Sequence, residues 1–163
     1  MALNLILFQT LWLVCVVGAA YGWPWLGVAA VAVRVGLGWR ELDAKLLLSA
    51  AVIGFVGEWL LVTLGAIDYA PRARTAGTLV PAWMIALWVN FATTLHSSLA
   101  WLQGRYVAAT MAGAIAAPFS YWAGRRLGAI VLNPEPVYWI CGIGLLWAVA
   151  TPVLVWISEA AAA

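Results

Sequence analysis

Apolar positions run along the chain in six stretches, roughly Leu3–Tyr21, Trp25–Leu37, Leu46–Ile67, Ala82–Gln103, Tyr106–Leu127 and Val137–Ile157, with polar or turn-forming residues between them. A helix needs about 20 residues to cross the hydrocarbon layer of a membrane, a length most of these stretches approach. The second does so only by running through Arg34 to Trp39. Pro24 in GWPWLG suits the first turn of that second helix, because proline has no amide hydrogen to leave unpaired there, so the first two spans are expected as a hairpin with almost no loop. The longest connections are DYAPRARTAGTLVP at 68–81 and NPEP at 133–136; Pro81, Pro134 and Pro136 mark helix starts, and Gly104 separates the fourth and fifth spans. The pattern predicts an all-α integral membrane bundle of six transmembrane helices with short loops, residues 1–163 forming a single transmembrane domain.

Composition strengthens that reading. Hydrophobic residues make up 66% of the 163 positions and charged residues 9%, and the mean hydropathy is +1.00, whereas about a quarter of a soluble chain is charged. The net charge of +2 comes from eight basic and six acidic residues without a run of either sign, which excludes a nucleic-acid surface. The expected partners are membrane lipids or a lipophilic small molecule, with a membrane-protein partner or a second copy of the chain as further candidates. Cys15 and Cys141 lie far apart in apolar runs, without metal-site spacing, and both read as buried hydrophobes. Leu5–Val17 has the apolar core of a signal peptide but no basic segment before it, and is expected as a retained span. Arg34, Arg40, Lys45 and Arg105 fall on the side of the termini and Arg72, Arg74, Arg125 and Arg126 on the other. If Arg125 and Arg126 serve the fold or a ligand rather than a loop, both termini are cytoplasmic.

One stretch resists a purely lipid-facing reading. PAWMIALWVNFATTLHSSLAWLQGR, residues 81–105, carries Asn90, Thr93, Thr94, His96, Ser97 and Ser98 within nine positions. Taken as one helix at about 100° per residue, it gathers Asn90, Thr93, Thr94, Ser97, Trp83 and Trp101 on a face narrower than about 120°, flanked by Ser98 and His96, with Trp88 turned away. Such a face must meet other helices or an internal cavity, because unsatisfied polar groups in hydrocarbon cost several kcal/mol each. Hydrogen-bonded packing between helices and the lining of a pocket both account for it. The single histidine excludes histidine-rich metal centres and paired-histidine haem within one chain; it is left as a packing residue or a proton-transfer or ligand group. No metal site is expected, and no cofactor is named.

Glu58, deep in SAAVIGFVGEWLLVTLG, is the sharper signal, since an ionisable group at membrane depth is expensive. Ala50, Gly54 and Glu58 recur every four residues, so the carboxyl falls on the small-residue face that packs against neighbouring helices. The Asn90/Ser97 face, His96 and Arg126 are its expected partners. In the fifth stretch, Ala109, Gly113 and Ala117 form a ridge for close packing, Pro118 is expected to kink the helix, and Ser120, Tyr121, Arg125 and Arg126 follow. The two arginines read either as snorkelling to the interface or as holding an anionic group at the mouth of a pocket. Of the 12 tryptophans, Trp23, Trp25, Trp39, Trp83, Trp101, Trp139 and Trp156 suit interfacial belts, while Trp12, Trp59, Trp88, Trp122 and Trp147 lie deeper, where an indole N–H is better placed facing the bundle or a ligand.

The motifs GWPWLG, PAWMIALWVNFATTLHSSLAWL and PFSYWAGRRLGAI together resemble a bacterial family of small inner-membrane proteins known only as a domain of unknown function, over about Leu5 to Trp156. In that family's pattern an Asp often stands at the position of Glu58 and Asn-His-Ser at His96-Ser97-Ser98, so this chain keeps a carboxylate and shifts the histidine by one residue. The resemblance implies a multi-pass protein of the bacterial inner membrane, often encoded near cyclopropane-fatty-acid-synthase-like methyltransferases and flavin oxidoreductases, and hence an association with membrane lipid modification. It implies no activity.

The resulting expectation is a bundle that binds a hydrophobic or amphipathic molecule in a tryptophan-lined interior and assists fatty-acid or lipid modification. The binding residues would be Glu58, Asn90, Thr94, Ser97, His96, Trp83, Trp101 and Tyr121, with Arg125 or Arg126 at one mouth. The alternatives are a substrate-binding subunit of a small-molecule transporter, a five-span tryptophan-rich sensory protein, and a structural subunit of a larger membrane complex. If the pocket reading holds, Glu58→Ala and Asn90→Ala should weaken ligand retention and leave folding intact.

Overall fold

A computed structural model describes residues 2–38, 42–75 and 77–162, the side chains of 161 and 162 excepted. Trp39 and Arg40, counted above among the belt tryptophans and the orienting cations, lie outside the described residues. The described residues form six α-helices: α1 (Ala2–Ala20), α2 (Pro24–Leu37), α3 (Ala44–Thr63), α4 (Ala82–Ala92), α5 (Tyr106–Arg126) and α6 (Pro136–Ala162). Three helices, Ala2–Ala20, Ala44–Thr63 and Pro136–Ala160, are long and apolar enough to cross a membrane, which marks the chain as a membrane protein. α2 and α4, with 14 and 11 residues, are shorter. α5 has the length but dilutes its apolar character with Ala, Gly, Ser, Pro and two arginines.

Helix starts follow local chemistry. Pro24 opens α2 as its first residue, and Gly22, at φ +86°, supplies the left-handed turn that closes the α1–α2 hairpin. Asp43 caps α3, its Oδ1 accepting from the Lys45 and Leu46 amides at 2.7 and 3.4 Å.

The fourth segment departs from expectation. Its helix stops at Ala92 instead of running to Gln103, and residues 93–99 are a succession of turns before a short 3₁₀ helix, Ala100–Leu102. The cause lies in the threonines: Thr93 Oγ1 donates to Asn90 O at 2.7 Å and Thr94 Oγ1 to Phe91 O at 2.6 Å, while the Thr94 and Leu95 amides tighten onto Phe91 O and Ala92 O. Hydroxyls that bond to nearby carbonyls offer the backbone an alternative to the helical ladder, and here that alternative prevails.

The pattern also gave no warning of a small antiparallel ribbon, β1 (Ile67–Tyr69) paired with β2 (Ile130–Leu132) in the register Ile67 to Leu132 and Tyr69 to Ile130. Each strand alternates in burial. Ile67 and Tyr69 thus turn inward, while Asp68 turns out to an ion pair with Arg74 at 2.7 Å.

α4 is central, packing against α1, α2 and α3, and α6 packs against α3 and α5. The α5–α6 contact is the most extensive in the molecule, and Gly113 makes it so: a Cβ there would collide with the Trp147 carbonyl oxygen and the Thr151 hydroxyl. α1 and α5 face each other across the space this leaves. Asn4 bonds to Thr93 and Ser98 at one end of the bundle, where Glu159 near the C-terminus also accepts from Gly104 N. The ribbon and the α1–α2 turn lie at the other end, with Gly22 against Arg72 and Gly128 against Ala20.

Candidate functional site

Glu58 is fully buried, and three donors from three other elements converge on its carboxyl. Tyr69, carried inward by the alternation of β1, donates to Oε2 at 2.6 Å. Trp88 of α4 donates its indole N–H to Oε1 at 3.0 Å, and Tyr121 of α5 donates to the same oxygen. Gly54, one turn before Glu58, leaves the space the Trp88 ring occupies, since a Cβ there would strike the ring. Burial holds the Tyr69 phenol well above its usual range, so it stays a donor.

The small-residue face of α3 does carry the carboxyl into the bundle, but the expected partners are absent from it. Among the described residues, no cation meets Glu58. Arg126 sits exposed at the end of α5 with its guanidinium 5.7 Å from the centre of the Trp122 ring, and Arg125 is exposed beside it; neither lines the cleft between α1 and α5. Nor does the Asn90 face come to Glu58. Trp88, the ring placed on the opposite side of α4, is the residue that does.

Asn90 is fully buried and turned toward α1, where its Nδ2 donates to Phe8 O at 3.1 Å and its Oδ1 has no partner. Thr94 is buried with its hydroxyl committed to Phe91 O. Ser97 and Ser98 are half-buried and His96 is exposed, all three beyond the end of the helix whose periodicity had placed them on or beside one face. The Thr93 hydroxyl accepts from Arg34 at 3.2 and 2.8 Å. These residues form a polar seam joining α1, α2 and α4, distinct from the glutamate cluster. Trp83 is fully buried and donates to Ala73 O at 2.7 Å, with its ring edge-on to Tyr69, so it is a core residue rather than an interfacial one.

Beside the cluster lies a cleft of about 540 Å³ between α1 and α5, floored by Phe91 and by Trp147 and Thr151 of α6. Along α5 it runs from Ala112 to Ala123, a length of about 16 Å at 1.5 Å per residue. A small inner cavity of about 70 Å³ shares Phe8, Trp12, Phe91, Ser120, Tyr121 and Trp147 with it and extends toward Trp83 and Trp88. Tyr121 therefore joins the two features, contributing to the wall of the cleft while its hydroxyl holds Glu58. Trp101, half-exposed, stands on the cleft's wall.

Trp12 spans the cleft, donating from α1 to Ser120 Oγ on α5 at 3.0 Å. Trp12→Phe and Ser120→Ala should each lower the unfolding free energy in detergent by about 1 kcal/mol. The double variant should lose no more than either alone, which a double-mutant cycle of chemical unfolding would measure.

The sequence pattern placed Trp12, Trp88 and Trp147 inward, and they are there: Trp147 stacks on Trp88 with ring centres 4.1 Å apart and meets the edge of Phe91 at 5.1 Å. Trp59 and Trp122, also deep in their segments, are nearly half-exposed instead. Cys15 is buried as expected, whereas Cys141 is exposed. Tyr69, Ser120 and Thr151 escaped the sequence reading as site residues. Tyr69 lies in a loop segment by pattern, and single hydroxyls in apolar helices carry no periodic signal.

The chain matches, over residues 1–153, the model of the family described as "Protein of unknown function (DUF2878)", and it belongs to that family. No curated protein and no solved structure matches it.

Proposed function

From membership of this uncharacterised family, which brings no activity with it, we propose that the chain binds a lipophilic molecule in the cleft between α1 and α5 as a six-span bundle of the bacterial inner membrane. The observation that carries the reading is the cleft itself: about 540 Å³, walled by aromatic rings, and in contact through Tyr121 with a buried carboxyl. Ligand pockets are typically concave and mostly apolar, with a few polar groups that fix orientation. The meeting of Asn4 and Glu159 with the 93–104 segment at one end of the bundle supports an even number of crossings. Arg126 is engaged by Trp122, which supports leaving it out of the loop count and placing both termini in the cytoplasm.

The bound molecule is a membrane lipid or its lipophilic precursor, and assistance to lipid modification is the role in view. Glu58 acts as a buried anchor: its oxygens hold Tyr121, and Tyr121 shapes the cleft. Native mass spectrometry of protein released from mild detergent, followed by extraction, is the test. One lipophilic molecule retained per chain is expected. A protein that is consistently empty, purified from membranes of its own host, would overturn the reading and favour a structural subunit.

A further inference from the structure

Arg125 and Arg126 end α5 with their donors unclaimed. Arg34 and Arg74 are spent inside the protein, on Thr93 and Asp68, whereas among the described residues nothing accepts from Arg125 or Arg126, the nearby Glu135 included. Both arginines are exposed. The ribbon end of the bundle, where they sit, sets Arg72, Arg74, Arg125 and Arg126 against Asp68 and Glu135, an excess of positive charge that favours an anion. Trp122 seats the Arg126 guanidinium over its ring, 5.7 Å from the centre, within reach of a cation–π contact.

The same ring is a wall of a second groove, of about 430 Å³, between α5 and α6. Ala114 and Pro118 lie at its base, with Ile115 and Trp122 of α5 on one side and Trp139 and Ile140 of α6 on the other. No charged side chain lines it. Along α5 the lining recurs every three or four residues, at Ile115, Pro118 and Trp122, and the next step on that face is Arg125 and Arg126. From Ala114 to Trp122 the groove runs about 12 Å at 1.5 Å per residue, close to the depth of one leaflet, half of a hydrocarbon core about 30 Å thick.

An apolar trough one leaflet deep, with guanidiniums at its outer end, matches a phospholipid whose chain lies in the trough and whose phosphate meets the cations. The planar fork of an arginine suits phosphate oxygens bidentately. A zwitterionic headgroup would bring its own ammonium toward these arginines, so an anionic one is favoured. We infer that the α5–α6 groove takes an anionic phospholipid of the phosphatidylglycerol kind. One acyl chain lies against Trp122, Trp139 and Ile140, and Arg126, with Arg125 beside it, holds the phosphodiester. The site is on a different face of α5 from the cleft proposed above and does not rest on what that cleft binds.

The groove is open to the membrane, so its lipid exchanges with detergent and binding is read by titration. The full chain in mild detergent is titrated with dioleoylphosphatidylglycerol or dioleoylphosphatidylcholine, and bound lipid is counted by native mass spectrometry. Phosphatidylglycerol should saturate at one per chain and bind more tightly than phosphatidylcholine. Arg126→Gln should weaken it about fivefold, one arginine's share of the attraction to an anionic headgroup. Arg72→Gln removes the same charge from the same end but stands off the groove, beside Gly22, and should leave binding unchanged. Ile115→Trp, at a position 57% exposed, should fill the groove and abolish saturable binding with the helical circular dichroism intact. Ala116→Trp, which fills the cleft between α1 and α5 instead, should bind phosphatidylglycerol as the parent does. Equal weakening by Arg126→Gln and Arg72→Gln, or phosphatidylcholine binding as tightly as phosphatidylglycerol, would overturn the site and leave the arginines as interfacial charges. Loss of binding on Ala116→Trp with retention on Ile115→Trp would overturn it too, by moving the phospholipid to the other cleft.

Discussion

Glu58→Ala should leave the protein unable to hold its native packing in detergent. The substitution strands the Tyr69 and Tyr121 hydroxyls and the Trp88 N–H, all directed at one carboxyl in the core, and each buried donor without an acceptor costs about 1–3 kcal/mol. A cavity is added to that loss, so the combined effect approaches the whole stability of a typical domain, about 5–15 kcal/mol. Glu58→Gln keeps the volume and one acceptor oxygen, and should lose only part as much. Tyr69→Phe and Tyr121→Phe, each removing one donor, should fall between Gln and the parent, about 1 kcal/mol below the parent. Chemical unfolding followed by tryptophan fluorescence orders the series; an alanine variant as stable as the parent would show that the cluster does not hold the fold together. The sequence alone suggested the opposite outcome for Glu58→Ala, intact folding with weakened ligand retention. The difference arises because the carboxyl stands behind the cleft, holding one of its wall residues, rather than in it.

The second large effect is expected at Gly113. Gly113→Val should separate α5 from α6, because a side chain there meets backbone as well as the Thr151 hydroxyl, and backbone cannot rotate out of the way. Overpacked cores lose typically 1–3 kcal/mol, and the upper end is apt where the obstruction is a carbonyl. In membranes such glycines allow the close approach by which helices associate. Ligand retention should fall with stability, since Trp147 and Thr151 shift together with α6. Gly36→Ala is the control: nothing lies within 4 Å of a Cβ at that position, and stability should hold or rise slightly. Melting of Gly113→Val together with the control would place the α5–α6 seam elsewhere.

The helices were legible because burial in lipid writes itself as long apolar runs, and the punctuation at Pro24 and Gly104 was legible because those residues have few conformational alternatives. The end of α4 was not. Periodicity extended the helix through Thr93 and Thr94, but periodicity records which face is polar and not whether threonine hydroxyls will take the carbonyls the ladder needs. That one misjudged boundary displaced Ser97 and Trp101 from the predicted face and His96 from its flank. Glu58 stood out as a lone carboxyl in an apolar run, and the small-residue spacing of Ala50 and Gly54 gave its direction. Its donors were hidden, because Tyr69 reaches it from a three-residue strand and Tyr121 from a helix whose arginines drew attention to its end. Hydrogen-bond partners 11, 30 and 63 positions apart in sequence leave no periodic trace.

Whether the molecule sits between α1 and α5 can be decided by filling the cleft. Ala116 lines it from α5 and is exposed there, so Ala116→Trp occupies the space without meeting the core, while Phe55→Trp alters the outward face of α3, where the side chain is half-exposed. Both variants would be purified in mild detergent beside the parent, and the molecule retained per chain counted by native mass spectrometry. The expected result is one molecule on the parent and on Phe55→Trp and none on Ala116→Trp, with all three folded and the two loaded proteins melting at or above the empty one. Full retention by Ala116→Trp would contradict the account, because the cleft could not then be where the molecule binds.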